Sequence, residues 1–531
     1  MKITRLLGAL LGLISFAVSA VAQTVAQSDA WRVDPAALGK VGSVSPRYQS
    51  YNIEMLEVTG GKFWKPYAQT APDAVQSHAA TPAGINPDAY AYRPPIDLSN
   101  PRRIKLAAAL GPAYLRVSGT WANTTYFAPD DAEAVTAPPG YGGVLTRAEW
   151  RGVVKFAQAV DAAIVTSFAV GTGVRDAAGV WTSGQAASFL DYTRSIGGRI
   201  AAAEFMNEPD LAVLGGAPRG YTAENYARDF RIFEAFARAK APGMQLLGPG
   251  SVLDTSLDAG PAGTGLPLLR ITGLFARPDL KVDAYDYHFY PAVSRRLAAM
   301  SPAMQVGPEN ELTEQQLAKT DAALAFYKAA RDRDQPGKPL WITETAEAAG
   351  GGNAWASTFL DSFRYLDQLG RLARQGVQVV MHNTLDASDY GLLDENTLLP
   401  RPDYWAALLW HDLMGTSVLD PGIPLQEGLH VYAHSLKGVS GGVALLVINP
   451  SSSRARSISF TRGGNRYTLS ATPKGLQDTA VLLNGTELSL GDHDRLPARK
   501  GRPQAAGSVV FDPATITFVT FADAGNPGAV R

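Results

Sequence analysis

Between about residues 50 and 415, short apolar runs alternate with amphipathic stretches. Eight runs rich in Val, Ile, Leu and Tyr predict strands at 51–58, 113–117, 163–170, 201–206, 244–248, 283–289, 339–343 and 377–382. The stretches between them read as helices. Three open on a capping box, in which a hydroxyl and a Glu or Gln satisfy each other's orphan N–H groups. These are Thr146-x-x-Glu149, Thr182-x-x-Gln185 and Thr313-x-x-Gln316. A further helix, 355–375, sets Phe359, Phe363 and Leu366 at helical spacing, the mark of a core-facing stripe. Strand–helix alternation predicts a parallel sheet, and eight such units predict a closed (β/α)8 TIM barrel of the α/β class.

Beyond about Gly415 the helical periodicity stops. Short runs at 430–436, 443–448, 457–461, 467–471, 480–483 and 508–521 follow, separated by Gly, Pro, Asn and Asp. This texture predicts an antiparallel β-sandwich. The expected division is a leader at 1–22, an N-terminal segment at 23–50 that can lend a strand to the sandwich, the barrel at 51–415 and the sandwich at 416–531. The leader is marked by Lys2 and Arg5 before a short apolar run and by the small-residue site Ala20-Val21-Ala22. It predicts a secreted or periplasmic protein with no membrane anchor after cleavage.

Composition narrows the chemistry. Lys and Arg number 48 against 49 Asp and Glu, a balance that argues against a nucleic-acid partner. With no cysteine, disulfides, thiolate metal sites and thiol nucleophiles are excluded. The seven histidines are scattered and none stands in HExxH spacing, so neither a metal nor a cofactor is expected.

In such barrels reactive groups sit at the C-terminal ends of strands. The fourth run leads into Asn207-Glu208-Pro209, and the seventh into Glu344-Thr345. Taken singly, either Glu reads more readily as a strand-end salt-bridge partner. Taken together, they stand on two strands that open into one mouth. Burial raises the pKa of one such carboxyl and suits it to donate a proton. A second carboxylate about 5–5.5 Å away then acts as nucleophile, the arrangement of retaining glycoside hydrolysis.

The Asn-Glu pair on strand four with a Glu on strand seven resembles clan A glycosidases. Longer blocks resemble glycoside hydrolase family 79, the heparanase and β-glucuronidase family. They are Leu110-Gly-Pro-Ala-Tyr-Leu-Arg-Val-Ser-Gly-Thr120, Glu344-Thr-Ala-Glu-Ala-Ala-Gly-Gly-Gly352, Gln375-Gly-Val-Gln-Val-Val-Met381, Asp389-Tyr-Gly-Leu-Leu-Asp-Glu-Asn396 and Pro402-Asp-Tyr-Trp405. The resemblance spans roughly residues 100–420 and implies a barrel with a β-sandwich beside it. It implies Glu208 as acid/base, Glu344 as nucleophile, Asn207 on the sugar 2-OH and Tyr290 on the nucleophile. It also implies that the Gly350 and Gly351 N–H groups and the Tyr390 hydroxyl face a uronate carboxylate. Thr120, Glu54 and Asn383 are further candidates for sugar contacts, and His288 reads as easily as strand-end packing. Heparanase has Gln where this chain has Asn383, and the segment around Glu54 matches it poorly. No excised linker is expected in 127–145.

The expected activity is therefore retaining hydrolysis of β-glucuronides, with a glucuronic-acid-containing saccharide or glycoconjugate as partner. Exo action is favoured, with the unmatched loops 69–93 and 254–265 as candidates to close one end of the cleft. Three alternatives stand beside it: a heparanase-like endo-β-glucuronidase, a neutral-sugar clan A glycosidase, and a sugar-binding protein on an inactive barrel.

Overall fold

The computed structural model describes residues 31–69, 87–132, 136–253, 268–299 and 301–530. The expected leader at 1–22, the loop at 254–265 and positions 70–86 of the loop at 69–93 lie outside them.

Eight parallel strands close into a barrel in chain order. They are β1 Gln49–Glu54, β2 Ala113–Ser118, β3 Ala162–Thr166, β4 Ile200–Glu204, β5 Gln245–Ser251, β6 Ala284–Phe289, β7 Leu340–Thr345 and β8 Val379–His382. All eight predicted runs overlap a barrel strand. The first begins two residues earlier than read, at Gln49, and the fourth ends at Glu204 rather than 206. Residues 205–208 therefore lie on a bend beyond the ladder.

Side chains of a strand alternate between faces, so every second residue points into the barrel. The lower interior layer is apolar: Tyr114, Val165, Ala202, Leu247, Ala284, Trp341 and Val379 pack together. Two residues further along these strands the character changes to Arg116, Glu204, Asp286 and Thr343, all buried. The barrel thus has an apolar floor and an ionisable upper layer beneath its mouth.

Helices cover the outside. Arg147–Ala159 starts on a full capping box, with Thr146 Oγ1 accepting from Glu149 N and Thr146 N donating to the Glu149 carboxylate. The expected box at Thr182 does not form. The helix starts at Gly184, the Thr182 hydroxyl donates to Val174 O, and Gln185 accepts from Phe127 N. Both side chains have longer-range partners that compete with the cap. At Thr313 only half the box forms: Oγ1 accepts from Gln316 N. The stripe helix spans Phe359–Arg374, with Phe359, Phe363 and Leu366 fully buried.

The C-terminal strands form a nine-stranded and a three-stranded sheet. The run read as 508–521 is two strands, Gly507–Phe511 and Thr515–Phe521, in different sheets. Lys40–Ser43 joins the large sheet beside Met414–Leu419, and Arg32–Val33 joins the small one in parallel to Arg456–Phe460. That last pairing departs from the antiparallel expectation.

Strand Val443–Asn449 shows why two bodies pack as one. Val443, Leu445 and Val447 face the sandwich core, while Ala444, Leu446 and Ile448 join the core shared with the barrel helices. A continuous apolar run is what a strand buried on both faces requires.

Candidate active site

Glu208 follows the bend after β4, at the N-terminus of the single-turn helix Pro209–Leu211. Its backbone is left-handed, φ 46° and ψ 67°, a conformation that costs a non-glycine residue energy. The bend is held from outside: Asn207 N donates to Asn123 Oδ1 at 2.9 Å, and Asn123 Nδ2 donates to Asn207 O at 3.0 Å. Glu344 sits within β7, flanked by two donors. Tyr290 OH donates to its Oε1 at 2.6 Å, and Arg116 Nη1 to its Oε2 at 2.9 Å. Ligand-capable atoms of Glu208, His288 and Glu344 lie within 4.8 Å of one another. That proximity fits the close carboxylate pair of retaining hydrolysis.

Arg116 and His288 link the pair from below. Arg116 Nη2 donates to Glu204 Oε2 and to Asn207 Oδ1, each at 2.7 Å. His288 Nδ1 meets Glu208 Oε1 at 3.1 Å, and its Nε2 lies 3.6 Å from Glu204 Oε1. Burial opposes the charge on His288, but Glu344, Glu204 and Glu208 outweigh it and push its pKa up to about 10. Burial also disfavours charge on Glu204, where the Arg116 guanidinium and His288 prevail and hold the carboxyl far below the usual range. Glu208 moves the other way. Burial raises its pKa and the neighbouring Glu344 adds to this, against the pull of His288. One carboxyl of the facing pair is therefore disposed to keep its proton.

Asn383 lies in the site. Its Nδ2 donates to Glu54 Oε1 at 3.1 Å, Tyr290 OH at 3.1 Å and Tyr390 OH at 3.2 Å. Glu54 is buried; desolvation first, then the charge of Glu344, push its pKa up to about 8. Glu54 Oε2 and Asn383 Oδ1 have no hydrogen-bond partner among the described residues. Thr120 is not brought to this group: it opens the turn Thr120–Thr124, is solvent-exposed and has no side-chain hydrogen bond among the described residues.

The glycine loop packs beside Tyr390 and Trp64. Gly350, Gly351 and Gly352 have φ of 85°, 90° and 77°. A Cβ on Gly351 would meet Trp64 Cβ at 2.6 Å and Ser388 Oγ at 2.7 Å, so both backbone and space require glycine. Gly352 N donates to Ala348 O, whereas the Gly350 and Gly351 N–H groups meet no acceptor among the described residues. The Tyr390 hydroxyl accepts from Asn383, and no described residue takes its proton.

The residues beyond the expected set are Arg116, Glu204, Asn123 and Arg296. A sequence signal existed for two of them: an Arg in Ala-Tyr-Leu-Arg-Val-Ser and a Glu closing Ile-Ala-Ala-Ala-Glu interrupt otherwise apolar strands.

A (β/α)8 barrel with facing carboxylates at the ends of strands four and seven defines a glycoside hydrolase. No family model matches the chain. The chain is 29% identical to heparanase from Mus musculus over 483 residues, 78% of this chain and 84% of that protein. It is 36% identical to baicalin-β-D-glucuronidase from Scutellaria baicalensis over 164 residues, 30% of this chain and 31% of that one. The chain is thus similar in sequence to heparanases and a β-glucuronidase of glycoside hydrolase family 79. Its fold matches a 4-O-α-L-rhamnosyl-β-D-glucuronidase from Fusarium oxysporum, with a TM-score of 0.61 at 13% identity, covering 93% of this chain and all of that one.

Proposed function

We propose that the protein is an exported exo-β-glucuronidase that works with retention of configuration. Glu208 gives its proton to the glycosidic oxygen as Glu344 attacks the anomeric carbon, and the aglycone leaves as an alcohol. The glycosyl–Glu344 ester is then opened by a water whose proton passes to Glu208, which returns both residues to their starting states. Tyr290 and Arg116 hold the Glu344 oxygens in place for attack.

The observation that carries the substrate class is a trio of donors that meet no acceptor among the described residues: Gly350 N–H, Gly351 N–H and the Tyr390 hydroxyl. A sugar carboxylate entering a buried pocket loses water and needs such donors in return. Two relatives act by name on glucuronides or heparan, which agrees with that chemistry. Exo action draws support from the hairpin Gly61–Trp64 and Tyr90–Arg93, whose Trp64 lies against Gly351 and backs the wall at this end of the pocket.

The test sets nitrophenyl glucuronide, glucoside, xyloside and arabinofuranoside side by side, with heparan sulfate digestion as the endo assay. Glucuronide should be the preferred substrate, with no shortening of the polymer from internal cuts. Tyr390→Phe removes a hydrogen bond to a charged group, worth about 1.5–3 kcal/mol. It should lower kcat/KM on the glucuronide roughly 10- to 150-fold and leave the glucoside rate nearly unchanged. A wild-type preference for a neutral glycoside would replace this reading with the neutral-sugar one.

A further inference from the structure

The N–H groups of Gly350 and Gly351 belong to a loop whose own chain does not fix their direction, because glycine has access to both halves of backbone space. Something else must aim them. In a trans peptide the carbonyl and the following N–H point in opposite directions. Whatever holds the carbonyl of residue 349 aims the N–H of 350, and whatever holds the carbonyl of 350 aims the N–H of 351.

Both carbonyls are held from one short segment. Ser294 N donates to Ala349 O at 2.8 Å. Arg296 Nη1 donates to Gly350 O at 3.2 Å and to Gly352 O at 2.6 Å. The remaining Arg296 donors are also engaged. Nη1 reaches Ser294 Oγ at 3.1 Å, Nε donates to Lys65 O at 3.0 Å, and Nη2 is paired with Asp389. The guanidinium carbon lies 3.9 Å from the centre of the Tyr67 ring, and the Arg296 side chain is only 3% exposed. Asp389, the residue before Tyr390, donates its N–H to Gly351 O at 3.2 Å. One planar guanidinium thus ties together the glycine loop, the hairpin's exit at Lys65 and Tyr67, and the residue beside Tyr390.

We infer that Arg296 is the positioning residue of the anion pocket: by gripping the Gly350 and Gly352 carbonyls it turns the Gly351 N–H away from itself and toward the ligand, and so sets the preference for a uronate over a neutral sugar. This rests on the glucuronide reading above. Arg296 touches no reacting atom; it acts through the loop. Its positive charge is spent largely on Asp389, so its contribution is direction rather than field. Lysine cannot replace it, because a single ammonium lacks the planar fork that serves two carbonyls, Asp389 and the hairpin together.

The test is Arg296→Lys, which keeps the charge and stem. kcat and KM are measured on nitrophenyl glucuronide and nitrophenyl glucoside, with glucuronate and glucose as competing ligands. Contacts to the uronate persist from ground state to transition state, so KM for the glucuronide should rise about tenfold or more, with kcat changed less. Glucuronate inhibition should weaken in parallel, and the glucoside parameters should stay within about twofold of wild type. A merely structural role would lower both substrates together with Tm. An unchanged glucuronide-to-glucoside ratio in a folded Arg296→Lys protein overturns the inference. If that variant does not fold, Tyr67→Leu decides: it removes the ring beneath the guanidinium, and the ratio should fall about threefold or more, an unchanged ratio again overturning the inference. A wild-type enzyme without glucuronide preference defeats the functional reading instead, before any variant is made.

Discussion

At the residue scale the site separates two chemically identical side chains by their surroundings. Glu344 is given two strong donors, Tyr290 and Arg116. Glu208 is given burial, a carboxylate neighbour and one histidine contact, with a net upward pKa shift. The expected division of labour follows and is separable by rescue. Glu208→Ala should damage aryl glucuronides with poor leaving groups most, and azide should restore turnover of activated ones with a β-glycosyl azide as product. Glu344→Ala with azide should yield the α-azide. Identical azide products from both variants, by proton NMR, would contradict the assignment. The pH profile carries the same information. The acid must be protonated, so kcat/KM should fall as pH rises through the raised Glu208 pKa, above the ordinary carboxylate value of about 4.3. Dinitrophenyl glucuronide, whose leaving group needs no proton, should show that limb weakened. An unshifted limb for both substrates would remove Glu208 from the role of acid.

At the element scale, local pattern was legible where local physics decides. Six of the eight barrel strands stand out through buried β-branched or aromatic residues, whereas Ile-Ala-Ala-Ala-Glu in β4 and Gln-Leu-Leu-Gly-Pro-Gly-Ser in β5 are marked by apolar runs between helical stretches. The Thr146 box forms because nothing else competes for its two side chains, whereas Thr182 and Gln185 were drawn away by Val174 and Phe127. The proposed catalytic pair, Glu208 and Glu344, was legible as two strand ends. Arg116 and Glu204 were not assigned, because a buried ion pair needs a partner that sequence separation hides: the two are 88 positions apart. The grip of Arg296 on the glycine loop, 54 and 56 positions away, was equally out of reach. One element-scale consequence runs against propensity. Gly370 lies inside the helix Phe359–Arg374, where Gly→Ala on an exposed face gains about 1 kcal/mol. Here an added Cβ would meet three Tyr432 ring carbons at 2.3–2.6 Å. The Tyr432 ring cannot retreat easily, being 2% exposed with its hydroxyl donating to Asp367 at 2.6 Å. Gly370→Ala should therefore lower Tm, measured by calorimetry, by at least the few degrees that about 1–3 kcal/mol of overpacking produces. An unchanged or raised Tm would mean that the two bodies part freely at this contact.

At the scale of the whole molecule, the same seam holds an ionic network that couples stability to pH. His430 lies on the sandwich strand His430–Leu436 and is fully buried. Its Nδ1 meets Asp367 Oδ1 at 2.6 Å on the barrel helix, and its Nε2 meets Glu314 Oε2 at 2.7 Å. Arg371 donates to both of these carboxylates and also pairs with Asp321, and Tyr432 shares Asp367. Burial by itself would drive the imidazole to its neutral form. Asp367 and Glu314 prevail against burial and Arg371, and the pKa is pushed up to about 9. The sign follows by linkage. A group that binds its proton more tightly when folded stabilises the fold fully below its unfolded pKa of about 6.5. That contribution fades as pH rises toward the folded value and is gone above it. Stability should therefore decline between about pH 7 and 9.5, on the order of a few kcal/mol for the interaction as a whole. His430→Gln retains a donor but cannot carry the charge. It should be less stable than wild type at pH 6.5 and converge on it by pH 10, since both then lack the cation. The measurement is Tm by calorimetry at half-unit steps of pH, with the Tyr432 and Gly370 contact left intact in both proteins. Parallel curves for wild type and His430→Gln across that window would show that His430 does not carry its proton in the seam.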